Sequence, residues 1–301
     1  MVTRWWPTLW IERPAQIIFI STQRRRRFTS ILKALPIPTI RSCNSVTMRD
    51  ISKPSALDRL SIRDRPDGQP LMHQTWGKLL FMHWRIEENQ LRRLIPSELE
   101  IDTFDGTAWI GVIPFTMWDI RALPPYVPAV PGFSSAHELN VRTYVHYDNV
   151  PGVWFFSLDC NSTAAVMAAR AFYHLPYYNA SIELLQNGNR IDYALARTDD
   201  PPAHFEGSWN VGEIKPFSHP ESLDFFLTER YCLYSEKEGD LYRARIFHSP
   251  WGLQEATMNS YASTMIEALG AESRAGEPVL HYAEKIDVDI WGIKRVSEAR
   301  A

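Results

Sequence analysis

Between His137 and Ala180 the hydrophobic period of the chain switches repeatedly. Residues His137 to Tyr147 alternate, so Leu139, Val141, Thr143 and Val145 fall on one face of a strand, and Glu138, Asn140, Arg142, Tyr144 and His146 on the other. Asp148-Asn149-Val150-Pro151-Gly152 supplies reversal residues. Val153 to Leu158 is apolar on both faces, as a doubly covered strand would be. Asn161 or Ser162 can cap a helix that continues through mostly small residues from Ala164 to Phe172. Pro176 forces its end near His174-Leu175, and Tyr177-Tyr178 open a further strand to about Leu185.

On the N-terminal side, Trp76 to Ile86 reads as a strand apolar on both faces except at Lys78, His83 and Arg85. Glu87 to Ile95 reads as a short helix ended by Pro96. Leu99 to Ile101 and Ala108 to Ile120 form a hairpin around Asp105-Gly106, and Pro114 predicts an edge or a bulge. The Pro-rich segment Leu123 to Phe133 suits a loop at the rim of a pocket. On the C-terminal side, Ile182 to Leu185 and Ile191 to Arg197 flank a turn, and a loop with Pro201-Pro202 follows. Ser222 to Thr228 reads as a short helix or turn, and Arg230 to Tyr234 pairs with Leu241 to Phe247. Ser260 to Leu269 reads as a helix stopped by Gly270, and Leu280 to Val296 supplies closing strands. Many strands with few helices predict an α+β fold built on a mostly antiparallel sheet or barrel.

Composition adds an asymmetry. The 301 residues are 45% hydrophobic and 12% aromatic, enough for a sizeable core, and the net charge is -3. Residues 1 to 47 hold eight Lys or Arg against one acid, which leaves 24 basic and 34 acidic groups elsewhere, a balance of -10. An acidic body argues against nucleic acid as partner. The leader, 1 to 47, reads as disordered, or as translation upstream of a start at Met48; a basic tail that touches anionic membranes or nucleic acid is the alternative, and a transit peptide is compositionally open. Residues 48 to 70 read as a linker and 71 to 298 as a single folded domain. Cys43, Cys160 and Cys232 are odd in number and widely spaced, which suggests a reducing cytoplasm. No apolar run approaches the ~20 residues of a membrane span.

Nucleotide-binding loops, H-E-x-x-H and C-x-x-C are absent, and Gly132 to Ala136 only half matches a nucleophile elbow. A metal site built from His83, His137 and His248 has no support in the spacing, and no cofactor is expected. The phrases HELNVRTYV, GVWFFSLD, AARAFYHLPY, LTERY and HSPW resemble the YqjF-like family of uncharacterised bacterial proteins from Trp76 to about Val296. More distantly, their order resembles the acetoacetate decarboxylase superfamily, which implies a conical antiparallel barrel around a cavity. Arg170, Pro176 and Glu138 match that family's Arg, Pro and acid, but Tyr177-Tyr178 stand where it has its lysine pair. A phenol cannot form the imine that such an amine forms.

The expectation is therefore a barrel that binds a small organic acid or ketone-like ligand, with turnover left open. An acid–base enzyme without a Schiff-base lysine is the alternative. Glu138, Tyr177 and His248 are the candidate catalytic residues; Asn140, Arg142, Tyr144, Arg170 and Arg230 are the candidate ligand-binding residues. A bidentate Arg142 would hold a carboxylate. On residue types alone the polar row fits equally a solvated face with a Glu138–Arg142 pair, and Arg170 fits a structural ion pair. Partners are a small-molecule ligand and, left open, further copies of the chain.

Overall fold

The computed structural model describes residues 53–122, 135–271 and 275–297. The basic leader, the first residues of the expected linker and the Pro-rich loop Leu123 to Phe133 lie outside the described residues, as does most of the half-matched elbow.

The strands in chain order are β1 (Met72–Ile86), β2 (Glu100–Ile101), β3 (Ala108–Ala122), β4 (Ser135–Tyr147), β5 (Val150–Cys160), β6 (Tyr177–Asn187), β7 (Arg190–Arg197), β8 (His204–Ile214), β9 (Cys232–Lys237), β10 (Asp240–Phe247), β11 (Leu253–Ser263), β12 (Ala275–Ile290) and β13 (Lys294–Ser297). The helices are α1 (Ala56–Ser61), α2 (Glu88–Arg92), α3 (Thr163–Tyr173) and α4 (Leu223–Thr228). Ser162 caps α3 by accepting from the Ala165 N–H, and His174 ends it in the left-handed region. Among the described residues no helix is long and apolar enough to cross a membrane.

The pairings close on themselves twice. One circuit runs β1–β3–β4–β5–β6–β7–β8–β11–β12 and back to β1. A second leaves β5 through β9 and β10 and returns to β12. The fold is thus barrel-like and mostly antiparallel, with β5 parallel to both β6 and β9. Because β1, β3, β4 and β5 belong to both circuits, both of their faces are covered. On β4, Leu139, Val141 and Val145 enter a cluster with Leu80, Met82, Trp84, Tyr193 and Trp209. The opposite face, carrying Glu138 to Tyr144, looks toward Phe81, Ile113, Trp251 and α4.

Several expectations need correction. Residues 53–70, read as a linker, contain α1, whose Arg59 grips Asp102 with two bonds of 2.6 Å. The strand β8 was missed altogether. The segment expected as a helix from Ser260 continues β11 to Ser263, because Ser260 and Tyr261 pair with Ser208 and Gly207; only a 3₁₀ turn, Glu267–Leu269, precedes Gly270. Of the two alternatives at Pro114, the structure has the irregularity and not the edge: β3 lies between β1 and β4, and its pairing with β1 is interrupted opposite Pro114, which is how a residue without an N–H is tolerated.

Candidate functional site

The polar row of β4 is not a solvated face: Glu138, Asn140, Arg142, Tyr144 and His146 are all buried, Arg142 the least at 9% exposed. Nor do Glu138 and Arg142 pair. Four residues apart on a strand they are separated by ~13 Å, and each has its own surroundings.

At Glu138, the Tyr177 hydroxyl donates to Oε2 at 2.8 Å. Burial pushes the carboxyl up to about 8, against the opposing pull of the Tyr177 and Asn140 hydrogen bonds. The same burial pushes the neighbouring Cys160 thiol up to about 12, so Cys160 is a small apolar wall rather than a thiolate. Tyr178 turns elsewhere: Arg197 stacks 4.0 Å from its ring and closes a buried pair on Asp159 at 2.5 and 2.9 Å. The two tyrosines therefore do different work, one inside and one in a structural pair.

Arg142 is a different environment. Its Nη2 is 3.4 Å from the Leu227 carbonyl of α4, and its guanidinium lies 5.5 Å from the Phe81 ring and 5.8 Å from that of Tyr144. Its Nε has no hydrogen-bond partner, and no carboxylate pairs with it among the described residues. Tyr144 beside it bonds both His83 Nε2 and the Leu227 carbonyl at 2.6 Å.

Arg230 lies at the same end of the row. It donates to Asp102 at 2.7 Å and to the Phe226 carbonyl at 2.9 Å, and stacks on Tyr144 and Phe226. Burial brings its guanidinium down to about 10, and the same Asp102 carries Arg59, so one carboxylate serves two cations. A hollow of about 240 Å³ lined by Arg59, Thr103, Phe104 and Phe226 opens beside this group.

Two candidates sit in structural contacts of their own, Arg170 in an ion pair and His248 on a loop carbonyl. Arg170 is outside: its side chain is 47% exposed, paired with Asp199 at 2.9 Å, and it clasps the Tyr177 carbonyl from solvent at 2.8 Å. It positions Tyr177 and does not line the interior. His248 is buried and stacked on Tyr231 at 4.4 Å, and its ring nitrogens face the carbonyls of Ser249 and Arg230 at 2.7 and 3.3 Å. Burial lowers its pKa. The structure thus joins Glu138, Asn140 and Tyr177 in one group, and Arg142, Tyr144 and Arg230 in another.

Sequence reasoning weighed His83 only as an unsupported metal ligand, and missed His281, Asp224 and Asp102. His281 Nε2 lies 2.8 Å from Asp224, which also holds Lys215 at 2.7 Å. Among the described residues no three His, Cys, Asp or Glu side chains converge as metal ligands.

The fold so built is that of acetoacetate decarboxylase-like proteins. The enduracididine biosynthesis enzyme MppR, solved with pyruvate, superposes with a TM-score of 0.57 at 14% identity, covering 76% of this chain and 91% of its own. An acetoacetate decarboxylase from Legionella pneumophila gives 0.52 at 12% identity over 85% of this chain and 98% of its own. Residues 73–287 match the family model DUF2071, described as an uncharacterized conserved protein, and the chain belongs to that family. The YqjF protein of Bacillus subtilis (strain 168) is 43% identical over 232 residues, covering 77% of this chain and 95% of the relative.

Proposed function

We propose that the protein binds a small organic acid inside the circuit closed by β9 and β10, with Arg142 as the carboxylate anchor. The observation that carries this is the guanidinium itself: always charged, buried, and without a counter-charge in contact among the described residues. An uncompensated buried charge is costly, and a ligand carboxylate accepting two bonds from the guanidinium removes that cost. Arg230 adds positive potential to the same end, and a hollow lies beside Arg59 and Phe226. That an enzyme of the same fold holds pyruvate agrees with a small acid as ligand. Two described cysteines that are buried and unpaired suit a reducing compartment, in line with a cytoplasmic protein.

Purification under native conditions followed by mass spectrometry of released small molecules tests the reading. A carboxylic acid is expected from the unaltered protein and none from Arg142→Leu, while an equal yield from both would remove the anchor.

A second reading, an acid–base enzyme, is favoured by Glu138 alone, whose carboxyl near 8 can hold or release a proton around neutrality. Imine chemistry is not part of it. Tyr177 and Tyr178 carry no amine, and the half-buried Lys78 acts on His137, whose side chain leaves β4 opposite Glu138. Incubation with acetoacetate and borohydride is expected to leave the protein mass unchanged; an adduct on a peptide containing Lys78 would show an amine at work.

A further inference from the structure

The Tyr144 hydroxyl has one proton and two close neighbours, His83 Nε2 and the Leu227 carbonyl oxygen, each at 2.6 Å. A carbonyl only accepts. The tyrosine proton therefore goes to Leu227, and the other bond is His83 Nε2–H donating to the phenol oxygen. Burial first, and then the charge of Arg142, hold the His83 pKa well below its ordinary value, so the imidazole is neutral. Its proton is committed to Nε2, and Nδ1 is left as a bare acceptor. That Nδ1 is buried and has no hydrogen-bond partner among the described residues.

His83 and Arg142 are placed to address one ligand. They flank Gly111 in a single cross-strand row, since Gly111 pairs with His83 on β1 and with Arg142 on β4. Gly111 leaves room for the imidazole, because a Cβ there would come within 2.8 Å of the His83 ring. Both groups lie against Phe81, the imidazole stacked at 6.0 Å and the guanidinium 5.5 Å from the ring centre. A further nitrogen without a partner among the described residues, Nδ1 of His281, belongs to the residue that pairs with Phe81 across β1 and β12.

We infer that the interior site selects a hydroxy acid, its carboxylate held by Arg142 and its hydroxyl donating to Nδ1 of His83. The inference rests on the reading of Arg142 as a carboxylate anchor. A ketone carbonyl is an acceptor and meets His83 lone pair to lone pair. An ammonium donor would be repelled by Arg142 and Arg230. A neutral hydroxyl suits both constraints.

The test uses the full chain and two matched sets of acids: lactate, pyruvate and propionate, and 3-hydroxybutyrate, acetoacetate and butyrate, titrated by calorimetry. The hydroxy acid of a set is expected to bind about tenfold or more tightly than its keto and unsubstituted counterparts, the cost of leaving a buried acceptor unpaired. His83→Phe should erase that preference while binding still depends on Arg142. Tyr144→Phe frees His83 to carry its proton on Nδ1 and should shift the preference toward the keto acid. Should either variant fail to fold, the ¹⁵N shifts of His83 in the unaltered protein decide: a protonated Nε2 with a bare Nδ1 is expected, and a protonated Nδ1 overturns the inference. Equal binding within a set that still requires Arg142 refutes the hydroxyl preference and leaves the anchor standing. Binding by no acid, or binding indifferent to Arg142→Leu, overturns both.

Discussion

Glu138 and Arg142 share one face of one strand, yet one is mostly neutralised by its surroundings and the other cannot be. A carboxyl escapes burial by keeping its proton, so Glu138 rises from an ordinary 4.5 to about 8. A guanidinium keeps its charge and needs a partner. The shift of Glu138 has a consequence for stability. Between about 4.5 and about 8 the folded protein holds a proton that the unfolded chain has lost, so Glu138 makes stability fall as pH rises through that window. Each unit of such a shift is worth about 1.4 kcal/mol. Glu138→Gln should flatten this part of the profile, with its gain in stability largest at pH 8; parallel pH profiles for the two proteins from chemical denaturation would contradict the buried carboxyl. The β4 residues were legible in the sequence because a period of two puts them on one face. Tyr177 was found through family resemblance. His83 and His281 were not legible as site residues, because each stands singly on an apolar strand and its partners, Tyr144 and Asp224, come from distant parts of the chain. Arg170 matched the family pattern, but its side chain leaves α3 on the solvent side.

Strands carrying dense alternation were readable, and those diluted by small residues were not. In β8, Gly207 and Gly212 interrupt the pattern of Phe205, Trp209 and Val211, and glycine is depleted in strands. Gly207 is nonetheless required, because a Cβ there would lie 2.8 Å from the Phe205 ring. From the end of β11 onward, Tyr261, Met265, Ile266 and Leu269 imitate a helical stripe, but the ladder to β8 holds the chain extended as far as Ser263. Gly111 on β3 makes the same demand inside the site, with His83 and Ile113 each within 2.9 Å of the added atom. Gly111→Ala should lower the melting temperature by several degrees, the usual result of forcing a methyl into a packed interior. Gly252→Ala, with open space around its Cβ, should have little effect. Equal melting of the two variants would show that the His83 ring is free to move aside.

At the scale of the molecule, the second circuit and α1 could not be read from local pattern. Circuit closure depends on β5 accepting β6 and β9 in parallel, and parallel pairing leaves no hairpin signature. The segment before Leu71 is polar and rich in Pro, so it reads as a linker, yet Arg59 reaches Asp102 and Arg245 donates to the Ile62 carbonyl at 2.6 Å. A chain starting at Met48 is expected to melt with the full protein, and one starting at Leu71 several degrees lower, since Asp102 then loses Arg59; identical melting of the two shortened chains would make α1 an ornament. The central claim, that the interior is built around a carboxylate, is tested most directly by titrating lactate and 3-hydroxybutyrate into the protein and into Arg142→Leu by calorimetry at pH 7. Saturable binding to the first and none to the second is expected, with both proteins folded. Equal affinity in the two, or a folded protein that binds neither acid, would contradict it.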